Sequence, residues 1–331
     1  DKLLRSPHPL LDAQWYIQQY KDELAEGQSP ILHYLDCGST GQFDPSPYFS
    51  SSFYLANTPD AAASRANPLV HFLAFWTENS GSAARAALNS RREDRRADPH
   101  PLFDARWYLA RYGELVPAGA NPLTFHVTTG CLKDCDPHPL IDCQWYRRAY
   151  QQRVSSPCVW RDYLSALSEE VRSPSPLFDR KWYFDTYRNE YDTRVDPLVD
   201  YITGGRAAGR LPHPLFASEW YVRQHPSAAH HPGGPLCHFR EIGSAQGADP
   251  HPIFSTRFFV EKYPESRFEP SGPVAYYLLA PTSELLQPHP LFDPRWYVAC
   301  NPEAETAPVR PLVHLLGYGI WEDRDPHPLF D

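Results

Sequence analysis

Residues Asp98–Tyr112 read DPHPLFDARWYLARY. Two prolines bracket a histidine, an aspartate follows, and Trp107 and Tyr108 stand side by side. The Pro-x-Pro opening recurs with its first proline at Pro7, Pro45, Pro99, Pro137, Pro174, Pro212, Pro250, Pro288 and Pro326. The intervals are 38, 54, 38 and 37, then 38 four times: a 38-residue repeat with one 16-residue insertion. Eight residues beyond each first proline stands Trp15, Phe53, Trp107, Trp145, Trp182, Trp220, Phe258 or Trp296. The residue after it is tyrosine in seven repeats and Phe259 in the other.

Each repeat reads as two short helices. Asp12, Ser50, Asp104, Asp142, Asp179, Ser255 and Asp293 stand at one register position and suit an N-cap. An apolar residue precedes each, as a hydrophobic staple requires. The first helix then runs through the Trp-Tyr pair for about nine residues, and proline follows it at Pro59, Pro226, Pro264 and Pro302. The second helix opens with a capping residue and proline, as in Ser29-Pro30, Asn67-Pro68, Asn121-Pro122 and Asp196-Pro197. Its apolar residues, such as Leu69, Phe72 and Leu73, fall on one helical face. The fourth repeat departs from this pattern, with its proline at Pro157.

Helices this short are below the ~12–15 residues at which an isolated helix is even marginal. Burial of aromatic side chains against neighbouring repeats must supply the stability. The fold expected is therefore all-α: a solenoid of about eight two-helix repeats of 38 residues. It is a single array over 1–331, with repeats starting near 7, 45, 99, 137, 174, 212, 250 and 288 and a ninth begun at 326. Stacked layers ~8–10 Å apart would give a length of about 80 Å. Trp15, Trp107, Trp145, Trp182, Trp220 and Trp296 are expected to form the repeat core. The missing initiator methionine and the unfinished ninth repeat suggest a piece of a longer polypeptide.

The net charge of −9 offers no global basic field for nucleic acid or an anionic membrane. No apolar run approaches the ~20 residues of a membrane-spanning helix, and no signal peptide opens the chain. Seven cysteines without CxxC spacing read as buried thiols, including the cluster Cys131, Cys135, Cys143 and Cys158. Seven connectors carry histidine: His8, His100, His138, His213, His251, His289 and His327. These make either a metal or pH-sensitive ladder or local hydrogen bonds. Copies about 10 Å apart cannot share a zinc ion whose Zn–N bonds are ~2.1 Å, which favours local bonding. His33, His71, His238 and His314 of the second helix read as packing positions.

Residues 79–96, NSGSAARAALNSRREDRR, break the period and form a basic insertion loop. Arg85, Arg91, Arg92, Arg95 and Arg96 stand there against Glu93 and Asp94, and are candidates for docking an acidic partner surface. A catalytic constellation is singular, whereas this chain offers periodic copies, so no enzyme, cofactor or metal site is expected.

The stretches NPLVHFL (Asn67–Leu73) and DPHPLFDARWYLARY resemble a tandem repeat of bacterial proteins, of the form PHPLFDxxWYLxxYP…NPLxHYLxxG. That repeat stands beside glycosyltransferase domains of cell-surface polysaccharide synthesis and in large secreted or surface proteins. The resemblance covers the chain except residues 79–96 and the second helix of repeat four. It implies an accessory module and carries no activity. The expected function is a non-enzymatic scaffold for protein–protein contact or self-assembly, with a protein partner or further copies of itself. The alternative is a polysaccharide-binding module of a glycan glycosyltransferase. Both a cytoplasmic and a cell-surface location stay open: unpaired cysteines point to the first, the resemblance to the second.

Overall fold

The computed structural model describes residues 6–78, 98–154, 156–165 and 171–330. It is all-helical: among the described residues there is no strand, only isolated bridges such as Ser46 with Phe49. Helix A of repeats 1 to 8 spans Ala13–Gln19, Ser51–Asn57, Ala105–Tyr112, Cys143–Tyr150, Arg180–Tyr187, Ser218–Gln224, Thr256–Lys262 and Pro294–Cys300. Helix B spans Pro30–Cys37, Pro68–Glu78, Pro122–Thr128, Val159–Ser165, Pro197–Asp200, Pro235–His238, Pro273–Leu279 and Pro311–Gly317.

Two side chains cap helix A, and only one of them is the expected N-cap. The carboxylate or hydroxyl of Asp12, Ser50, Asp104, Asp179, Ser255 and Asp293 accepts the N–H three residues on, at 2.8–3.4 Å. The second cap is the residue before the first proline. Ser6, Asp44, Asp98, Asp136, Ser173 and Asp249 accept the first helical N–H, seven residues ahead, at 2.6–3.1 Å. Two of the four orphan donors of each such helix are thereby satisfied.

The connector joins repeats through the backbone. The N–H of Asp12 donates to the carbonyl of Pro45, Asp104 to Pro137, Asp179 to Pro212 and Asp293 to Pro326, at 2.9–3.2 Å. Each bond ties a helix A cap to the opening proline of the next repeat. The tyrosine ending helix A adds another tie: Tyr20, Tyr112, Tyr150, Tyr187 and Tyr263 accept the N–H just before that proline.

The repeat core is built on the tyrosine of the Trp-Tyr pair. Tyr16, Tyr54, Tyr108, Tyr146, Tyr183, Tyr221, Phe259 and Tyr297 are all fully buried. Of the six tryptophans expected in the core, only Trp145 is buried; Trp15, Trp107, Trp182, Trp220 and Trp296 are half-buried. Adjacent helix positions point about 100° apart, so only one of the pair can face inward. In four repeats the buried hydroxyl bonds a helix B histidine 17 residues on: Tyr16 with His33, Tyr54 with His71, Tyr221 with His238 and Tyr297 with His314, at 2.7–2.9 Å. In repeat 5 the partner is Asp200, and Arg210 comes in to bond the same carboxylate. Tyr221→Phe should lower stability by about 1 kcal/mol, read as a shifted urea midpoint with an unchanged slope.

The chain divides into two compact units, Asp1–Cys143 with Gln152–Ala166, and Gln144–Gln151 with Leu167–Asp331. Repeat 4 is split, with helix B in the first unit and most of helix A in the second. Within each unit contacts reach three repeats along. In the first, Arg161 of repeat 4 donates to Asp12 of repeat 1 at 3.1 Å. In the second, Arg148 of repeat 4 bonds Glu269 and Ser271 of repeat 7, and Gly317 of repeat 8 packs on the Trp182 indole of repeat 5. Neighbour-only stacking, expected from the period, is therefore incomplete. Trp160 fills the interior so created in the first unit, 5.2 Å from Tyr48 and stacked at 6.0 Å on Phe103.

Candidate functional site

The seven connector histidines all make one bond. Nδ1 of His8, His100, His138, His213, His251, His289 and His327 accepts the N–H two residues on, at 2.9–3.3 Å. An N–H aimed at Nδ1 leaves Nε2 as the ring's donor position. Burial favours the neutral ring in three of them: it lowers the pKa of His100 to about 3 and of His213 and His251 to about 4. The ladder is a set of local turns. Among the described residues no group of histidine, cysteine and carboxylate side chains could hold a metal ion.

The cysteine cluster is buried. Cys131, Cys135, Cys143 and Cys158 are each no more than 5% exposed, and Cys143 donates to the Cys135 carbonyl. Arg85, Arg91, Arg92, Arg95 and Arg96 lie outside the described residues.

Two surface features of the described residues bear on recognition. One is the set of half-buried tryptophans, Trp15 and Trp107 in the first unit and Trp182, Trp220 and Trp296 in the second. The other, in the second unit, is a cavity of about 160 Å³, space for about five waters. Trp145 and Tyr150 of repeat 4 form one wall, and Asp179 and His213 reach it from the start of repeat 5 and the next connector. Arg310 and Val313, at the start of helix B of repeat 8, close the far side. The cavity exists because repeats 4 and 5 lie against repeats 7 and 8. The period alone could not reveal it, since each lining residue sits at an ordinary register position.

The polar groups of the cavity differ in how far they are engaged. Arg310 is buried and stacks 4.6 Å over the Tyr277 ring, and it donates to the carbonyls of Ala280, Pro281 and Glu284. Tyr150 accepts the Ser173 N–H at 2.7 Å. Asp179 uses Oδ1 to cap helix A, and no cation among the described residues bonds its carboxylate. No protein-family model, curated protein or solved structure matches this chain.

Proposed function

We propose that this chain is a non-enzymatic scaffold: a solenoid of eight two-helix repeats that mediates contact with a protein partner or with further copies of itself. One observation carries the reading. The polar side chains that recur with the period are already spent on the backbone and on each other. Connector histidines hold turns, capping carboxylates hold helix ends, and buried tyrosines hold helix B. A surface with few uncommitted reactive groups and many periodic contact positions suits binding. Self-assembly is tested by sedimentation velocity over about a hundredfold range of concentration. The self-assembly version predicts a weight-average mass that rises with concentration, and a constant 37.9 kDa removes it.

The half-buried tryptophans favour a second reading, a polysaccharide-binding accessory module beside a glycosyltransferase domain of a bacterial cell-surface glycan pathway. Partly open indole faces at Trp15 and Trp107 in the first unit and at Trp182, Trp220 and Trp296 in the second could stack on sugar rings. On a glycan array this reading expects retention that falls when Trp107→Ala and Trp182→Ala are combined. Absence of retention on every glycan removes it.

A further inference from the structure

The latch between repeats 1 and 4 has a counterpart between repeats 5 and 8, and there it is unfilled. In the first unit the capping carboxylate of repeat 1, Asp12, uses Oδ1 for its own helix and offers Oδ2 to Arg161. Arg161 lies three residues past Cys158, whose carbonyl accepts the first intrahelical bond of that helix. In the second unit Asp179 of repeat 5 stands in the place of Asp12. The helix three repeats on begins at Arg310, whose carbonyl accepts the corresponding bond. Its third residue is Val313, an apolar side chain in the place of Arg161. Where Arg161 crosses to Asp12, the second unit has the cavity lined by Asp179 and Val313.

We propose that this cavity receives a basic side chain, arginine or lysine, presented by a protein partner. This rests on the protein-contact reading above and names its partner's chemistry. The carboxylate of Asp179 supplies the counter-charge. Trp145 and Tyr150 are the aromatic walls on which a guanidinium or ammonium is attracted. His213 adds no positive charge, because burial keeps its ring neutral. Two arginines oppose a further cation: Arg310, whose charge is spread over three carbonyls and the Tyr277 face, and Arg172, whose guanidinium lies 5.6 Å over the Tyr150 ring. Arg161 on Asp12 is this chain's own example of the geometry.

The experiment is saturation-transfer NMR on the whole chain with N-acetyl-arginine methylamide and N-acetyl-lysine methylamide. N-acetyl-citrulline methylamide serves as the uncharged isostere, and a methyl pyranoside as the sugar arm. The cationic probes should bind saturably, and citrulline at least about tenfold more weakly. Asp179→Asn should cost the arginine probe at least about tenfold while leaving the unfolding temperature unchanged, because asparagine caps a helix as well as aspartate does. Val313→Arg should fill the cavity from within and abolish binding. If that variant fails to fold, Asp179→Asn alone decides. Equal binding of citrulline, preference for the pyranoside, no saturable signal, or an Asp179→Asn protein that binds as before would each overturn the proposal. Self-association or partner binding that survives Asp179→Asn would leave the scaffold standing and remove only this site.

Discussion

Asp196→Ala should destabilise the second unit by about 4–6 kcal/mol. One oxygen of Asp196 caps helix B of repeat 5, accepting the N–H groups of Leu198 and Val199 at 3.0 and 3.3 Å. The other meets Nε of Arg180 at 3.0 Å, with both side chains under 9% exposed. Deleting the carboxylate leaves a guanidinium buried without that counter-charge, a loss of about 3–5 kcal/mol, and removes a cap worth about 1 kcal/mol. Asp196→Asn keeps the cap and should be milder by about that last amount. Arg180→Met combined with Asp196→Asn should recover much of the loss, because no buried charge remains. Urea unfolding of the four proteins measures this. Arg194 and Asp192 pair on the open surface, so Arg194→Ala should leave the midpoint where it is. If Asp196→Ala shifts the midpoint no more than Arg194→Ala does, the buried pair is not a stabilising element.

Much of the repeat was legible because its signals are local. Asp104 caps helix A and Pro122 opens helix B, and each needs only its neighbours in sequence to do so. The choice between Trp107 and Tyr108 was not legible from type alone. Both are large aromatics, and which one faces inward depends on where helix B lies. A signal did exist in the 17-residue spacing from Tyr16 to His33, which returns from Tyr54 to His71, Tyr221 to His238 and Tyr297 to His314. A buried hydroxyl needs a partner at a fixed place, whereas a half-open indole does not. The second cap, from Asp44 or Asp98, was visible in the same way and needed only the length of the connector. The contacts of Arg161 with Asp12 and of Gly317 with Trp182 were beyond reach. They join residues about 135–150 positions apart, and no local signal in the chain records such a pairing. The cavity belongs to this last class, since it is lined by residues of repeats 4, 5, 7 and 8.

Acid should begin to destabilise this protein below about pH 6.5, before ordinary carboxylates titrate. His213 is 4% exposed, its Nδ1 accepts the Leu215 N–H, and burial lowers its pKa from 6.5 to about 4. His126 lies fully buried among Phe103, Tyr108 and Trp160, and its pKa falls to about 3 for the same reason. A histidine with a lowered folded pKa binds its proton more readily in the unfolded chain. Stability is therefore complete above pH 6.5 and is lost as pH falls towards the folded value, at about 1.4 kcal/mol per pH unit for each such ring. At pH 4.5 each of these two histidines should have cost its own unit roughly 3 kcal/mol. Asp44 opposes this in the first unit. Burial raises its pKa to about 6, so the folded state takes up a proton there first and gains stability as pH falls. His100, its pKa lowered to about 3, adds to His126 with the same sign, so the first unit should still lose stability as pH falls, but more slowly than the two histidines alone dictate. In the second unit, His251 adds to His213 with the same sign. His213→Ser, which places in repeat 6 the residue that Ser46 and Ser175 supply in repeats 2 and 5, removes one of these protons. Urea midpoints recorded between pH 7 and pH 4.5 should fall less steeply in that variant, whatever its stability at pH 7. A parallel pH dependence in the two proteins would mean that His213 titrates alike folded and unfolded, and that its ring is not sealed from water.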